Sequence, residues 1–466
     1  MLRIFNHYIP TSLVVLVLVE MFLLYISVFI AVEIRFWTSI ENVFTTELIS
    51  GLKYKAALFT LLMMLSMTAM GLHTRNLVVN FSGMLVRLLM SFAIGFFVIS
   101  FTFYLYPQFF LGRGVVVITF VIAFLGVLSA RVIHHNIDKR SIFKRRILVI
   151  GAGNNALLIE NLIRKASKQG FEIIAFLGID LTNPKVSLDK LIGIKTTLLD
   201  LCLDKEIDEI IFAVDDRRNQ FPTSGLIDCK MQGIVINDFS NFLERINGHI
   251  DLKSLQPSSI IFSDGFTKAV KVSAVKRMFD IVVSLVILLL ASPIIVLTAM
   301  AIWLSSFGRL SILYRQVRVG LGNKPFNVLK FRSMTVDAEK NGAQFAKKND
   351  TRVTKIGSFI RKTRIDELPQ LINVLRGDMS FIGPRPERPQ FVLGFEQSIP
   401  HYSLRHSVKP GITGWAQISY PYGETEEDTK NKLQYDLYYI KNYSLFLDTT
   451  IFFQTIQVVL FGQGAR

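Results

Sequence analysis

Asp366 and Glu367 stand side by side in the run RKTRIDELPQLINVLRGDMSFIGPRPERP, among Arg361, Arg364, Arg376, Arg385 and Arg388. Guanidiniums bind phosphate and carboxylate oxygens in a planar, two-pronged geometry, and a carboxylate can serve as nucleophile or metal ligand. The run therefore has the composition of a phosphate-handling site. The same dipeptide is also an ordinary helix start, with acids in the first turn and Pro369 just inside it. Both readings are open at this point.

Similar punctuated polar blocks fill the surrounding region: YRQVRVGLGNKPFNVLKFRSM, DTRVTKIGSFIRKTRIDELPQ, GDMSFIGPRPE and VKPGITGWAQI. Gly383-Pro384-Arg385-Pro386 makes a stiff loop that holds Arg385 in one place, and Pro410-Gly411 with Gly414 does the same before Trp415. Each block alone reads as a turn bearing a solvated charge. Several of them in one short region call for a common purpose.

The elements that must carry this region are membranous. A chain of 466 residues with 51% hydrophobic residues and a mean hydropathy of +0.41 is too apolar for a purely soluble protein. Apolar stretches at 12–32, 56–72, 88–106 and 114–133 are each long enough to cross a hydrocarbon core. None has the short apolar region and small-residue cleavage site of a signal peptide. The net charge of +16 falls mainly on membrane flanks and on the polar blocks, so nucleic acid is not an expected partner. Arg75 and Arg87 lie between the second and third spans, and Arg131, Lys139, Arg140, Lys144, Arg145 and Arg146 follow the fourth; both clusters predict cytoplasmic loops. Cys202 and Cys229 have no metal-type spacing and read as ordinary buried thiols.

After the basic linker, RRILVIGAGNNALLIENLIRK predicts a buried strand, a glycine turn and a helix, with further strands in FEIIAFLGID, IDEIIFAV and GIVINDF. Gly151 and Gly153 suit a close phosphate approach, but Ala156 takes the third glycine place and Asp180 lies far along for a ribose-binding acid. The spacing predicts the fold and leaves a bound dinucleotide open against a structural or sensing role. From 279 to 304 the chain is apolar again, about 39 Å if straight, with Ser292 and Pro293 near its middle. Lys271, Lys276 and Arg277 precede it, and Arg309, Arg315 and Arg318 follow, so both ends favour the cytoplasm and a re-entrant helix-break-helix is expected. The last segment, LDTTIFFQTIQVVLFG, reads equally as a surface-lying or a core-packing helix.

The blocks KFRSM, RKTRIDELPQLINVLRGDMSFIGPRPE and KPGITGWAQ resemble those of the bacterial sugar transferases, which place the first sugar phosphate on a polyprenyl phosphate. Nearly the whole chain is similar to their large form, the large monotopic phosphoglycosyl transferases. That resemblance implies a membrane protein with four transmembrane helices in 1–137, a degenerate Rossmann-like α/β module in 146–250, and a mainly α catalytic domain in 271–466 entered by the re-entrant helix. It implies Asp366 as the nucleophile, Glu367 as a Mg²⁺ ligand, and Lys330, Arg332, Arg361, Arg364 and Arg385 around the phosphates. Ser292 and Pro293 match the helix-breaking pair, and Asp436 matches an acidic position of open role. The implied partners are a UDP-sugar, polyprenyl (undecaprenyl) phosphate and the lipid bilayer, with a homodimer compatible with the large form. The implied place is the bacterial inner membrane, with the catalytic domain on its cytoplasmic face and the reaction initiating exopolysaccharide or other surface-glycan synthesis. Glucose and galactose are the usual donors of such relatives, and UDP-glucose is the first choice.

Two other classes share part of this layout. Membrane-anchored nucleotide-sugar dehydratases need a Tyr-x-x-x-Lys pair, and metal-dependent glycosyltransferases often use Asp-x-Asp; the chain contains neither. A nucleotide-sensing membrane protein would account for 146–250 and leave the blocks after 309 without a purpose.

Overall fold

The computed structural model describes residues 2–4, 7–9, 11–36, 46–73, 81–139, 144–165, 170–178, 184–193, 196–215, 223–253, 255, 260–261, 265–266, 270–305, 307, 310–335, 338, 351–421, 423 and 425–461. Arg75, Arg140, Asp180 and Arg309 lie outside the described residues. The chain divides into two compact units, which meet in sequence between Asn247 and Gly248.

In the first unit, four helices are long and apolar enough to cross a membrane: α1 (Thr11–Arg35), α2 (Thr46–Ala69), α3 (Phe81–Leu105) and α4 (Arg113–Lys139). α2 and α3 begin at Thr46 and Phe81, well before the apolar stretches that start at 56 and 88. Residues 46–55 and 81–87 mix polar with apolar side chains, which continue a helix without difficulty, so helix length exceeds the uninterrupted apolar length. Leu24, Val28, Phe59, Met63, Leu88 and Phe92 form the bundle core, while Phe22, Phe97 and Val117 point outward as expected of lipid-facing side chains. Arg131, grouped above with the basic flank, is instead buried: its Nε lies 2.7 Å from Glu20 Oε1, an ion pair not aligned as a hydrogen bond. Its Nη1 also donates to the Leu72 carbonyl, and His73 Nε2 reaches the other Glu20 oxygen at 2.7 Å. A charge inside a bundle persists when it is paired in this way.

The α/β part of the same unit contains a five-stranded parallel sheet. Its strands are β1 (Arg145–Ile150), β2 (Phe171–Leu177), β3 (Leu191–Ile192), β4 (Glu209–Phe212) and β5 (Val235–Asp238), in the order β3-β2-β1-β4-β5. Ile147 and Val149 enter one hydrophobic core and Leu148 and Ile150 another, so both faces are covered, as a parallel sheet requires. The covering helices include α5 (Asn154–Lys165), α6 (Leu198–Asp204), α7 (Thr223–Met231) and α8 (Phe239–Asn247). Strand β3, two residues long, carries no periodicity that a sequence could reveal. Cys202 and Cys229 are buried thiols, and burial pushes Cys202 up to about 12, far from a reactive thiolate.

The second unit opens on α9 (Val270–Ser305), a 36-residue helix with Pro293 inside it. Helical hydrogen bonding continues through the Ser292-Pro293 pair, so the expected break is not a gap between two helices. Pro293 has no N–H for the carbonyl four residues back, Leu289, and the Ser292 hydroxyl donates to that carbonyl at 2.8 Å instead. The N-terminal turns of α9 are bolted to the rest of the unit. Asp280 Oδ1 accepts from Ser380 Oγ and the Phe381 N–H, both at 3.0 Å, and Lys276 pairs with Asp448 at 2.7 Å. Arg277 donates to the Val374 and Leu375 carbonyls, capping the end of a later helix. Further along, Leu289 and Leu290 are 75% and 74% exposed, an apolar surface suited to lipid.

The remaining elements include a hairpin of β6 (Leu313–Val319) and β7 (Pro325–Phe331), α10 (Lys355–Lys362), a 3-10 turn (Ile365–Glu367), α11 (Gln370–Arg376), a parallel pair β8 (Ser380–Ile382) and β9 (Gly411–Thr413), α12 (Pro389–Ser398), a 3-10 segment (Tyr402–Ser407), α13 (Trp415–Ser419), α14 (Glu426–Lys441) and α15 (Leu445–Phe461). Tyr402, Leu437, Tyr438, Tyr439, Leu447 and Ile451 are fully buried at the centre. The first turns of α15 therefore pack into the core. Trp415 is an anchor, donating to the Gly248 carbonyl at 2.7 Å and stacking on Tyr438.

Candidate active site

The site is built where the 3-10 turn Ile365–Glu367 meets β7 and the loop after β8. Thr354 starts α10 by accepting from the Gly357 N–H, and the helix ends at Arg361 and Lys362. Arg364 then turns the chain with φ 60°, ψ 13°, a left-handed conformation rare for a residue with a side chain. That reversal delivers Asp366 and Glu367 into the turn, and the backbone runs on through Leu368 and Pro369 into α11. Asn373 of α11 ties this element to β7, accepting from the Leu329 N–H at 2.9 Å and donating to the Asn327 carbonyl at 2.8 Å.

The neighbouring carboxylates have opposite surroundings. Glu367 Oε1 receives Arg385 Nη2 at 2.7 Å, Lys330 Nζ at 3.4 Å and Arg364 Nη1 at 3.6 Å. Burial opposes its ionisation, but Arg385, Lys330 and Arg364 outweigh burial and hold it well below the usual carboxylate range. Asp366 is 8% exposed, and among the described residues its carboxylate has no hydrogen-bond partner. Burial, and then the Glu367 charge, push it above the ordinary aspartate value, against the pull of Lys330, Arg385 and Arg361. Lys330 is lowered by burial, with Glu367 working against that. Two adjacent carboxyls whose environments separate their proton affinities are suited to separate roles.

Arg361 thus acts on Asp366 by charge, and Lys330, Arg364 and Arg385 gather on Glu367. Arg332 stands apart from that group: its Nε donates to the Ser311 carbonyl at 2.8 Å, bracing the chain just ahead of β6. Asp436 is also elsewhere, buried on α14 with its Oδ2 2.9 Å from Arg405 Nη2, an ion pair off hydrogen-bond alignment. Burial raises Asp436 to about 6, with Arg405 opposing. Ser292 and Pro293 act within α9. Residues that the sequence did not single out are Arg405, Tyr402 and Glu387. Glu387 accepts from Arg318 at 3.3 Å, and Arg405 donates to the Tyr402 hydroxyl at 2.6 Å. Arg405 lies in SLRHS, where no spacing marks it.

The glycines of the β8–β9 region are dictated by close backbone packing. A Cβ on Gly411 would collide with the backbone of Gly383, and one on Gly414 with the Gly383 carbonyl. The loop carrying Arg385 therefore rests directly on the β9 backbone.

Mg²⁺ is the cofactor that the resemblance implies. Among the described residues no three His, Cys, Asp or Glu side chains converge, so an all-protein cage is absent. Mg²⁺ normally takes one or two carboxylates and completes its shell with substrate phosphate oxygens and water. Glu367, kept ionised by its cations, supplies a carboxylate of that kind, with Asp366 beside it. The residues present fit an ion shared with a diphosphate.

Apolar helices, a parallel α/β sheet and a two-carboxylate, multi-cation site define a membrane protein equipped to handle phosphate. The family description "bacterial sugar transferase" matches residues 271–462. The chain is 43% identical over 241 residues to the UDP-N-acetylgalactosamine-undecaprenyl-phosphate N-acetylgalactosaminephosphotransferase of Aeromonas hydrophila, covering 52% of this chain and 56% of that protein. It is 37% identical over 324 residues to the UDP-glucose:undecaprenyl-phosphate glucose-1-phosphate transferase of Klebsiella pneumoniae, covering 67% of each. It is 30% identical over 352 residues to the undecaprenyl-phosphate galactose phosphotransferase of Salmonella typhimurium, covering 71% of each. The chain belongs to the bacterial sugar transferase family. The first of these matches spans little more than half of its relative's length.

Proposed function

We propose that the protein transfers a sugar 1-phosphate from a UDP-sugar to polyprenyl phosphate, releasing UMP, as the first step in building a surface glycan. The observation that carries this reading is the contrast between the buried Asp366, which has no hydrogen-bond partner among the described residues, and its cation-bound neighbour Glu367. In the first displacement an Asp366 oxygen attacks the sugar-bearing phosphorus, and the bond from that phosphorus to the bridging diphosphate oxygen breaks. UMP departs with the bridging oxygen and its electron pair, leaving an aspartyl phosphosugar. In the second, a phosphate oxygen of the polyprenyl lipid attacks the same phosphorus and frees Asp366. Arg385, Lys330, Arg364 and Arg361 supply fixed positive charge for the oxygens that gain charge in each transition state. Mg²⁺, which Glu367 would hold, would supply positive charge to offset that developing on the leaving phosphate.

The catalytic unit lies on the cytoplasmic face of the inner membrane in this reading, where nucleotide sugars are made. α9 dips into the leaflet and returns, so that a long lipid presents its phosphate to Asp366 without leaving the bilayer. The charges at both ends of α9 support that path.

The donor is a UDP-hexose, with UDP-glucose tested first and the N-acetylgalactosamine and galactose nucleotides named by relatives beside it. The test is UMP release by the purified protein with Mg²⁺, polyprenyl phosphate and each donor. One donor yields UMP, and Asp366→Asn removes that release while the protein stays folded. Undiminished release by Asp366→Asn would sink the mechanism, and no release by wild type with any donor would sink the activity.

A further inference from the structure

The loop Gly383-Pro384-Arg385-Pro386-Glu387 has an unusual support. Two of its five residues are prolines without an N–H, so it must be held largely through its carbonyls. Four consecutive carbonyls each receive one donor: Pro384 from the Gly411 N–H at 2.9 Å, Arg385 from Arg405 Nη2 at 2.9 Å, Pro386 from Arg318 Nη1 at 3.0 Å and Glu387 from the Val319 N–H at 2.9 Å. The second and third donors are side chains from other elements.

Arg405 reaches that carbonyl from a buried seat. It is 7% exposed, in the 3-10 segment Tyr402–Ser407, with its guanidinium 5.1 Å from the Tyr402 ring centroid. Nη1 donates to the Tyr402 hydroxyl at 2.6 Å, and Asp436 Oδ2 lies 2.9 Å from Nη2. Tyr402 and Asp436 are 1% and 2% exposed. A buried guanidinium is costly unless it is paired and hydrogen-bonded, and one aimed at the main chain beside the site is a costly way to hold an ordinary turn.

We infer that Arg405, seated by Tyr402 and Asp436, is a positioning residue that fixes the Arg385 backbone so that the Arg385 side chain stands on Glu367. Asp436 then serves the reaction through Arg405 and Arg385, without touching substrate phosphate. This assignment rests on the proposed transfer reaction for its kinetic meaning, while its structural content stands alone.

The test is a double-mutant cycle on UMP release, with amide exchange measured alongside. Asp436→Asn and Tyr402→Phe each lower kcat about tenfold while KM for the UDP-sugar changes less than about threefold. Either change placed in Arg385→Ala costs less than about twofold more, because the group being positioned is already gone. The Gly411 and Val319 amides, whose acceptors are loop carbonyls, exchange faster in both single variants. Asp436→Glu recovers part of the kcat that Asp436→Asn loses. Losses that multiply in the Arg385→Ala background would overturn the inference, since a direct substrate contact or general loss of fold behaves that way. Full kcat in both single variants would overturn it too. If wild type releases no UMP with any donor, the functional reading fails separately, and the amides decide: unchanged Gly411 and Val319 protection then removes the positioning role. Tyr402→Phe, which deletes one hydroxyl, keeps the test open if the Asp436 variants do not fold.

Discussion

Arg385 Nη2 lies 2.7 Å from Glu367 Oε1, joining the rigid proline loop to the turn that carries Asp366. This ion pair is partly buried, so it resists solvent screening better than a surface pair and fixes where the guanidinium can meet a phosphate. Arg385→Ala is expected to lower kcat for UMP release by about 10²- to 10³-fold, the scale for loss of one preorganised transition-state donor. Arg385→Lys keeps the charge but loses the planar fork, and about a tenfold loss is expected. Equal rates for the Lys variant and wild type would show that a point charge suffices.

The two carboxyls predict a particular pH response. Asp366 is raised by burial and by Glu367, whereas Glu367 is held down by its cations, so acid removes the Asp366 charge first. The acid limb of kcat/KM should therefore titrate above the free aspartate value of about 3.9. Arg361 is one of the charges holding Asp366 down, so Arg361→Ala should move that limb to higher pH. The stability consequence has the opposite sense to an ordinary salt-bridged aspartate. The folded state holds the Asp366 proton more tightly than the unfolded chain. This group's contribution is thus fully present below the unfolded value and lost as pH rises through the folded one. A limb at or below the free value in wild type, or one that Arg361→Ala leaves in place, contradicts this electrostatic account.

Much of this was legible in the sequence because it is local. RKTRIDELPQ carries Asp366, Glu367, Arg361 and Arg364 within a few residues, and the apolar run in RRILVI declares a strand buried on both faces. Long-range pairings left no such mark. Arg131 looked like a flank charge because Glu20, its partner, stands 111 residues away in sequence. Arg332, expected around the phosphates by resemblance, also makes a pairing the sequence does not show, its Nε donating to the Ser311 carbonyl 21 residues away. Arg405 and Asp436 become a unit only when the Tyr402–Ser407 segment packs on α14. Whether glycines at 383, 411 and 414 were turns or contacts was likewise decided by two chain segments meeting.

The Rossmann-like sheet invites a search for a dinucleotide, and one residue argues against finding it. The Asp215 carboxylate accepts from the Asn154 N–H at 2.8 Å and the Asn155 N–H at 2.9 Å, at the start of α5 where a pyrophosphate would need those donors. A Cβ on Gly153 would strike Asp215, so the glycine that normally admits a phosphate here admits the protein's own carboxylate. Calorimetric titration of the full chain with NAD⁺ or NADP⁺ should give no saturable heat. Asp215→Ala should cost about 1 kcal/mol of stability, the usual value of a lost helix cap, seen as a lowered Tm. Micromolar dinucleotide binding by wild type would contradict this reading.

The path of α9 can be decided by labelling. A helix of 36 residues is long enough to cross the bilayer, so length does not exclude a fifth span. Crossing would put Arg315, Arg318, Lys324 and Lys330 on the far side together with Asp366, away from a cytoplasmic nucleotide donor and against the bias that keeps basic flanks in the cytoplasm. Ser292, by occupying the Leu289 carbonyl, removes the penalty of an unpaired acceptor in lipid and so lets Pro293 bend the helix at low cost. Ala274, near the start of α9, and Ser311, beyond its end, are both exposed and lie on either side of Pro293. In a variant lacking Cys202 and Cys229, Ala274→Cys and Ser311→Cys proteins should each react with a membrane-impermeant maleimide from the cytoplasmic side alone. Labelling of the Ser311→Cys protein from the outer side would establish a crossing helix. Pro293→Ala restores the missing N–H and removes the residue that would favour a bend. If a bend at Pro293 holds the catalytic unit against the leaflet, that variant should lose UMP release with polyprenyl phosphate while folding normally, and retained activity would separate Pro293 from catalysis.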